Sequence, residues 1–157
     1  MEIRKIFVVG SGLMGSGIAQ TALQYGYEVT LNDKNQAALE RGQAGIESRL
    51  ARLVEKGKLT AQEKDDCMSR LTISATVEPA ADADLVIEAI FENLDAKRAI
   101  FQELDNICDE HTIFASNTSS ISLTSLAAAT AHPERVVGMH FFSPVPAMGL
   151  VEIVYGL

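Results

Sequence analysis

Short apolar runs alternate along this chain with longer stretches in which apolar residues recur every three to four positions. Ile6-Phe7-Val8-Val9 is a continuous apolar run, the pattern of a strand buried on both faces of a parallel sheet, and predicts a first strand over 5–9. Met14, Ile18 and Ala22, with Ala19 and Leu23 beside them, then fall on one helical face. They predict a helix over 14–25, closed by Gly26 as its C-terminal cap. A second strand follows over 28–32.

Leu39, Ile46, Leu50, Leu53 and Val54 next share a helical face, and Gly57 breaks the run. Thr60-Ala61-Gln62-Glu63 reads as a capping box, in which threonine and glutamate satisfy each other's free N–H groups. A helical hairpin over about 35–70, projecting from the sheet, is therefore expected between strands two and three. Further strands are predicted over 71–75, 85–89, 112–115, 136–140 and 150–154. A helix over 94–108, capped by Asn93, and a short one over 123–129 complete the list of elements. Pro144 and Pro146 hold an extended loop before the last strand. The alternation predicts one α/β domain over 1–157: a Rossmann-like, doubly wound, mostly parallel sheet with an inserted helical hairpin.

Composition narrows the picture. With 47% hydrophobic and 22% charged residues, the chain has the make-up of a soluble globular domain. A formal charge of −8 argues against a general nucleic-acid binder. Arg4 and Lys5 precede an apolar, glycine-rich stretch that superficially resembles a signal peptide, but no small-residue cleavage site follows. No segment approaches the ~20 apolar residues that span a bilayer, so no membrane partner is expected. Cys67 and Cys108 form neither a disulfide framework nor a metal-ligand cluster. They read as buried thiols of a cytoplasmic protein without a metal.

Gly10-Ser11-Gly12-Leu13-Met14-Gly15 joins the first strand to the first helix, the context that turns a common glycine pattern into a dinucleotide-binding loop. The first glycine permits a tight turn, the second lets backbone approach a pyrophosphate, and the third lets helix and strand pack closely. Asp33, at the end of the second strand, is the acid expected to accept the ribose hydroxyls. Its charge favours NAD over NADP.

Other candidates stand at the carboxyl ends of strands, where ligands collect in such sheets. His140 ends the sixth strand and Glu152 lies on the next, so a bent loop can bring them together as a proton shuttle. A histidine packed against Phe141 and Phe142 is the plainer alternative. Ser119 lies in the polar turn Ser116-Asn117-Thr118-Ser119-Ser120, where turn chemistry alone accounts for a serine. A serine hydrolase is disfavoured, because no Gly-x-Ser-x-Gly elbow is present. Arg41, Arg49, Arg52, Lys56 and Lys58 give the hairpin a basic side. That side is either a solvated face or a site for a phosphate-bearing substrate.

Four motifs in order, GSGLMGSGIAQ from Gly10, DLVIEA from Asp84, FASNTSSIS from Phe114 and GMHFFSPVPAM from Gly138, resemble the L-3-hydroxyacyl-CoA dehydrogenases. The resemblance covers the whole chain and is nearest to the bacterial 3-hydroxybutyryl-CoA dehydrogenases. It implies NAD-linked oxidation of the 3-hydroxyl of an (S)-3-hydroxyacyl-CoA, and the reverse reduction of a ketoacyl-CoA such as acetoacetyl-CoA. By position it makes His140 the catalytic histidine, Glu152 its orienting acid, and Ser119 a contact of both substrate and cofactor. Asp33 matches the ribose-binding acid. Glu92, Lys97 and Asn117 match residues around the nicotinamide end. Lys56 matches a residue reaching CoA, with Arg49 on the same basic side. The family usually has asparagine where Ser143 stands near the nicotinamide, and lysine where Gly149 stands. The family's C-terminal helical domain, which carries the interface of a homo-oligomer, is expected to be absent from this chain. Two further readings follow: a nucleotide-binding module without useful catalysis, or a related dehydrogenase of a hydroxy acid not linked to CoA.

Overall fold

The computed structural model describes residues 2–118, 123–142, 145–147 and 151–155. The chain runs β1 (Lys5–Val9), α1 (Leu13–Gln24), β2 (Glu28–Asn32), α2 (Gln36–Glu55), α3 (Ala61–Ser69), β3 (Leu71–Ser74), β4 (Leu85–Glu88), α4 (Leu94–Ile107), β5 (Ile113–Ser116), α5 (Leu123–Ala127), β6 (Val136–Phe141) and β7 (Val151–Tyr155). A 3₁₀ turn at Glu78–Asp82 takes the place of a helix between β3 and β4. The described strands form one sheet in the order β3-β2-β1-β4-β5-β6-β7. The first six are parallel, and β7 returns antiparallel to β6. This is the doubly wound architecture that the alternation of elements predicts.

The two faces of β1 are sorted by its period of two. Ile6 and Val8 join Ile18, Leu23, Leu31, Leu39 and Ile46 in the core beneath α1 and the hairpin. Phe7 and Val9 join Val86, Ile100, Phe101, Leu104 and Phe114 in the core beneath α4 and α5. A strand covered on both sides has no face to offer water, which is why β1 and β4 read as unbroken apolar runs.

Local signals set the helix ends. Asn35 and Asn93 cap α2 and α4 through their side chains, accepting from Ala38 N and Ala96 N at 2.9 Å each. Thr60 and Glu63 form the expected capping box at α3, each bond 3.0 Å. Gly26 follows α1 at φ +94°, a conformation that favours glycine.

The hairpin does not stand off the sheet along its length. Leu39, Ile46 and Leu50 are almost wholly buried in the same core as Val29 and Leu31. Arg70, just past α3, donates to Leu23 O at 2.7 Å and so closes the C-terminal end of α1. The tip, residues 55–58, is exposed. Cys67 is buried, and Cys108 ends α4 half-buried; both are free thiols. The fifth strand and the sixth each end one residue later than the sequence pattern places them, because the hydrogen-bond ladder continues through Ser116 and Phe141.

Ile46→Ala is expected to cost ~2–5 kcal/mol in a urea titration, because Ile46 is 0% exposed and its removal leaves a cavity between the hairpin and the sheet. The exposed neighbour Arg52→Ala is expected to stay within ~0.5 kcal/mol. Equal, small effects would mean that the hairpin is not part of the core.

Candidate functional site

The strand order reverses between β1 and β4, and the loops after these two strands open a crevice at the carboxyl end of the sheet. The glycine loop forms one wall. Gly10 adopts φ +103°, and a Cβ there would fall 2.6 Å from Ala89 O. A Cβ on Gly15 would fall 1.7 Å from Gly10 O, so only glycine lets α1 start against the loop. Gly12 is different: a Cβ there would meet nothing within 4 Å. It caps α1 without any side-chain hydrogen bond, and no acid occupies the first turn. The first N–H groups of α1 therefore stand uncovered at the positive end of a helix, the arrangement that receives phosphate. Gly10 takes the tight turn and Gly15 the close packing expected from the sequence spacing, and the space at Gly12 is open.

Asp33 lies across from this loop. Its Oδ2 accepts from Ser11 N at 3.1 Å and Ser11 Oγ at 2.8 Å, and its Oδ1 accepts from Asn35 N at 3.0 Å. Partial burial opposes its charge. The donors from Asn35 and Ser11 and the nearby Arg41 outweigh this and hold the carboxyl below its usual range. A cleft of about 760 Å³ runs along this wall, between Gly10, Gly12, Asp33, Val77, Phe91 and Ile100. Its size and mixed lining suit the adenosine half of a dinucleotide.

The other half of the crevice is built on a buried ion pair that sequence reasoning missed. Lys97 Nζ lies 2.6 Å from Glu88 Oε2 and 3.4 Å from Glu92 Oε1, and donates to Ile90 O at 3.2 Å. The side chains of Lys97 and Glu88 are both 0% exposed. Glu88 also accepts from Ser116 Oγ at 2.6 Å and from Ile90 N at 2.7 Å. Lys97 is therefore fully buried and reaches the half-exposed Glu92 from within. The signal that could have revealed the pair is an acid closing an apolar strand, followed nine residues later by a lysine on a helix.

The polar turn after β5 is tied to the same cluster. Thr118 Oγ1 donates to Glu92 Oε2 at 2.7 Å, and Asn117 N donates to Glu88 O at 2.8 Å. Asn117 Oδ1 accepts from Phe141 N at 3.0 Å, joining the turn to the end of β6 beside His140. His140 is half-buried, its ring 4.8 Å from that of Phe142. The β6–β7 register pairs His140 with Glu152, the alignment in which two positions share one face of a sheet. Ser119, Ser143 and Gly149 lie outside the described residues.

The hairpin's basic side divides. Arg49 turns onto α1, its Nε donating to Gln20 Oε1 at 2.6 Å and its guanidinium reaching Ser16 Oγ at 3.2 Å. Arg41, Arg52, Lys56 and Lys58 are exposed. Among the described residues, no group of three or more His, Cys, Asp or Glu side chains is arranged to hold a metal ion. No described helix is long and apolar enough to cross a membrane.

Residues 5–157 match the family model described as the 3-hydroxyacyl-CoA dehydrogenase, NAD binding domain. The chain is 53% identical over 157 residues to the probable 3-hydroxybutyryl-CoA dehydrogenase of Bacillus subtilis, covering all of this chain and 55% of that protein. It is 43% identical over 152 residues to the 3-hydroxybutyryl-CoA dehydrogenase of Clostridioides difficile, covering 97% of this chain and 54% of that one. The crystal structure of (S)-3-hydroxybutyryl-CoA dehydrogenase from Ralstonia eutropha superposes with a TM-score of 0.96 at 46% identity, over 99% of this chain and 55% of that one. The chain thus spans about 55% of the length of these relatives.

Gly12→Ala is expected to keep its melting temperature and to lose NADH affinity, since its methyl group enters only the space where a pyrophosphate would lie. Gly15→Ala is expected to lose at least ~1–3 kcal/mol of stability by overpacking against backbone. NADH fluorescence titration and thermal melts separate the two, and equal NADH binding by Gly12→Ala would refute this assignment of the open face. Lys97→Met should cost ~3–5 kcal/mol in chemical denaturation, because it strands Glu88 as a buried unpaired charge. The double variant Glu88→Leu/Lys97→Met should recover part of that loss. A Lys97→Met protein as stable as the parent would show that the pair is dispensable.

Proposed function

The chain belongs to the 3-hydroxyacyl-CoA dehydrogenase family, whose NAD-binding domain it carries; from that membership we propose that it serves the interconversion of an (S)-3-hydroxyacyl-CoA and the matching 3-ketoacyl-CoA. The residues present fit NAD. Gly12 leaves an open cradle before the first helix N–H groups, and Asp33 is a charged acceptor at the ribose end. When bound, NAD supplies the acceptor for the hydrogen that leaves the substrate carbon as hydride.

The observation that carries the reaction is the pairing of His140 with Glu152 at the carboxyl end of β6, one polar turn from the cofactor crevice. In oxidation, an imidazole nitrogen of His140 accepts the proton of the 3-hydroxyl as the C–O bond becomes a carbonyl. In reduction it returns that proton to the oxygen. Glu152 orients the imidazole and stabilises its protonated form. Ser119 is assigned the hydrogen bond to the reacting oxygen. Lys56, exposed at the hairpin tip, is assigned to the CoA phosphates, whereas Arg49 is occupied in holding the hairpin to α1.

The glycine loop with Asp33, complete within one wall of the crevice, supports a second reading, a nucleotide-binding module that does not turn over by itself. Consumption of NADH with acetoacetyl-CoA distinguishes them. Under the first reading, His140→Gln lowers turnover by ~10²–10⁴-fold and leaves the NADH dissociation constant unchanged. Undiminished turnover in that variant would refute the role of His140. NADH binding without consumption by the parent chain would favour the module. Acetoacetate in place of acetoacetyl-CoA tests a substrate without CoA, which the exposed cations of the hairpin disfavour.

A further inference from the structure

The residue between the first two glycines does more than fill a turn. Ser11 is 4% exposed, and its hydroxyl and its amide both point at one oxygen of Asp33, at 2.8 Å and 3.1 Å. The other oxygen is held by Asn35 N at 3.0 Å. A carboxylate offers about four acceptor sites. Three are taken, so the group is fixed in rotation and keeps one site for an incoming hydroxyl. The serine is itself backed by the hairpin. Gly42 of α2 lies so close that a Cβ there would sit 2.8 Å from Ser11 O and 3.1 Å from Ser11 Cβ. The loop cannot move toward α2, and the serine hydroxyl cannot turn away without leaving Asp33.

We propose that Ser11 is the positioning residue for cofactor choice: its hydroxyl locks Asp33 in the orientation that accepts a ribose hydroxyl and repels a 2′-phosphate. This rests on the reading of Asp33 as the ribose acceptor. A glycine or alanine at position 11 keeps the loop amide and the Asn35 bond but removes the shortest of the three, so the carboxylate is held less tightly. A more loosely held carboxylate both accepts the ribose less well and yields to a phosphate more readily. The hydroxyl thus contributes to affinity for NADH and to discrimination against NADPH through the same bond.

The test is a set of NADH and NADPH fluorescence titrations on the whole chain and on Ser11→Ala, Asp33→Asn and the double variant. Ser11→Ala is expected to weaken NADH about tenfold, the size of one charge-assisted hydrogen bond, and to leave NADPH unchanged or tighter. In the Asp33→Asn background the same substitution is expected to add nothing, because the hydroxyl acts only through the carboxylate. Ser11→Gly serves as a second variant with the same expectation should alanine disturb the loop. Equal losses for NADH and NADPH, or a loss that persists without the Asp33 charge, would overturn the proposal and assign Ser11 to the phosphates instead. Unchanged NADH binding in Ser11→Ala, with Asp33→Asn impaired, would overturn it alone. Unchanged binding in Asp33→Asn would overturn the reading of Asp33 as well.

Discussion

A lysine ammonium with no access to water needs its counter-charges at fixed positions. Lys97 meets that need with Glu88 from the end of β4 and Glu92 from the following loop. Glu88 passes the constraint to β5 through Ser116, and the backbone of Asn117 bonds back to Glu88 O. The Asn117 side chain then takes the amide of Phe141 on β6. The ends of β4, β5 and β6 and the start of α4 are thereby one hydrogen-bonded unit. His140 sits next to the last link of that chain, so its position depends on a charge pair that it never touches.

The opposite wall is organised by missing side chains. Gly10 and Gly15 let the loop, the strand end and the first turn of α1 approach more closely than any Cβ allows. Gly42 extends the same device to the hairpin, which presses on Ser11 from behind. The two walls meet at the reversal of the sheet, where Ala89 N donates to Val9 O at 2.8 Å. A crevice with one wall held by charge and the other by close backbone contact has little freedom to widen. It is preorganised for an elongated ligand before the ligand arrives.

Much of this was legible in the sequence, and particular residues show why. The fold could be read because β1, β4 and the helix faces repeat with periods set by backbone geometry. The glycine loop could be read because its three glycines recur at a fixed spacing between a strand and a helix. The capping box at Thr60 and Glu63 is equally local. Asp33 was recognisable by its place after β2, but not its hold on Ser11. The Glu88–Lys97 pair escaped notice: an acid at the end of an apolar run looks like the point where a strand meets water. Only the packing of α4 over β4 shows that this end is dry. The resemblance places Lys97 around the nicotinamide end; the structure adds that its side chain is buried against Glu88 and Glu92. The hairpin was read as projecting, because an apolar stripe on a helix does not say which surface covers it.

By itself, then, the sequence determined what short-range sterics and periodicity control: the order of elements, the parallel sheet, the phosphate-binding turn and the motifs that carry the family. Tertiary structure alone decided which charges are buried, which cation of the hairpin is spent on α1, and which strand positions face each other. The pairing of His140 with Glu152 belongs to this second class. Register between strands and burial of charge are set by contacts between residues far apart in the chain, and their free energies depend on a dielectric environment that exists only once the layers have closed.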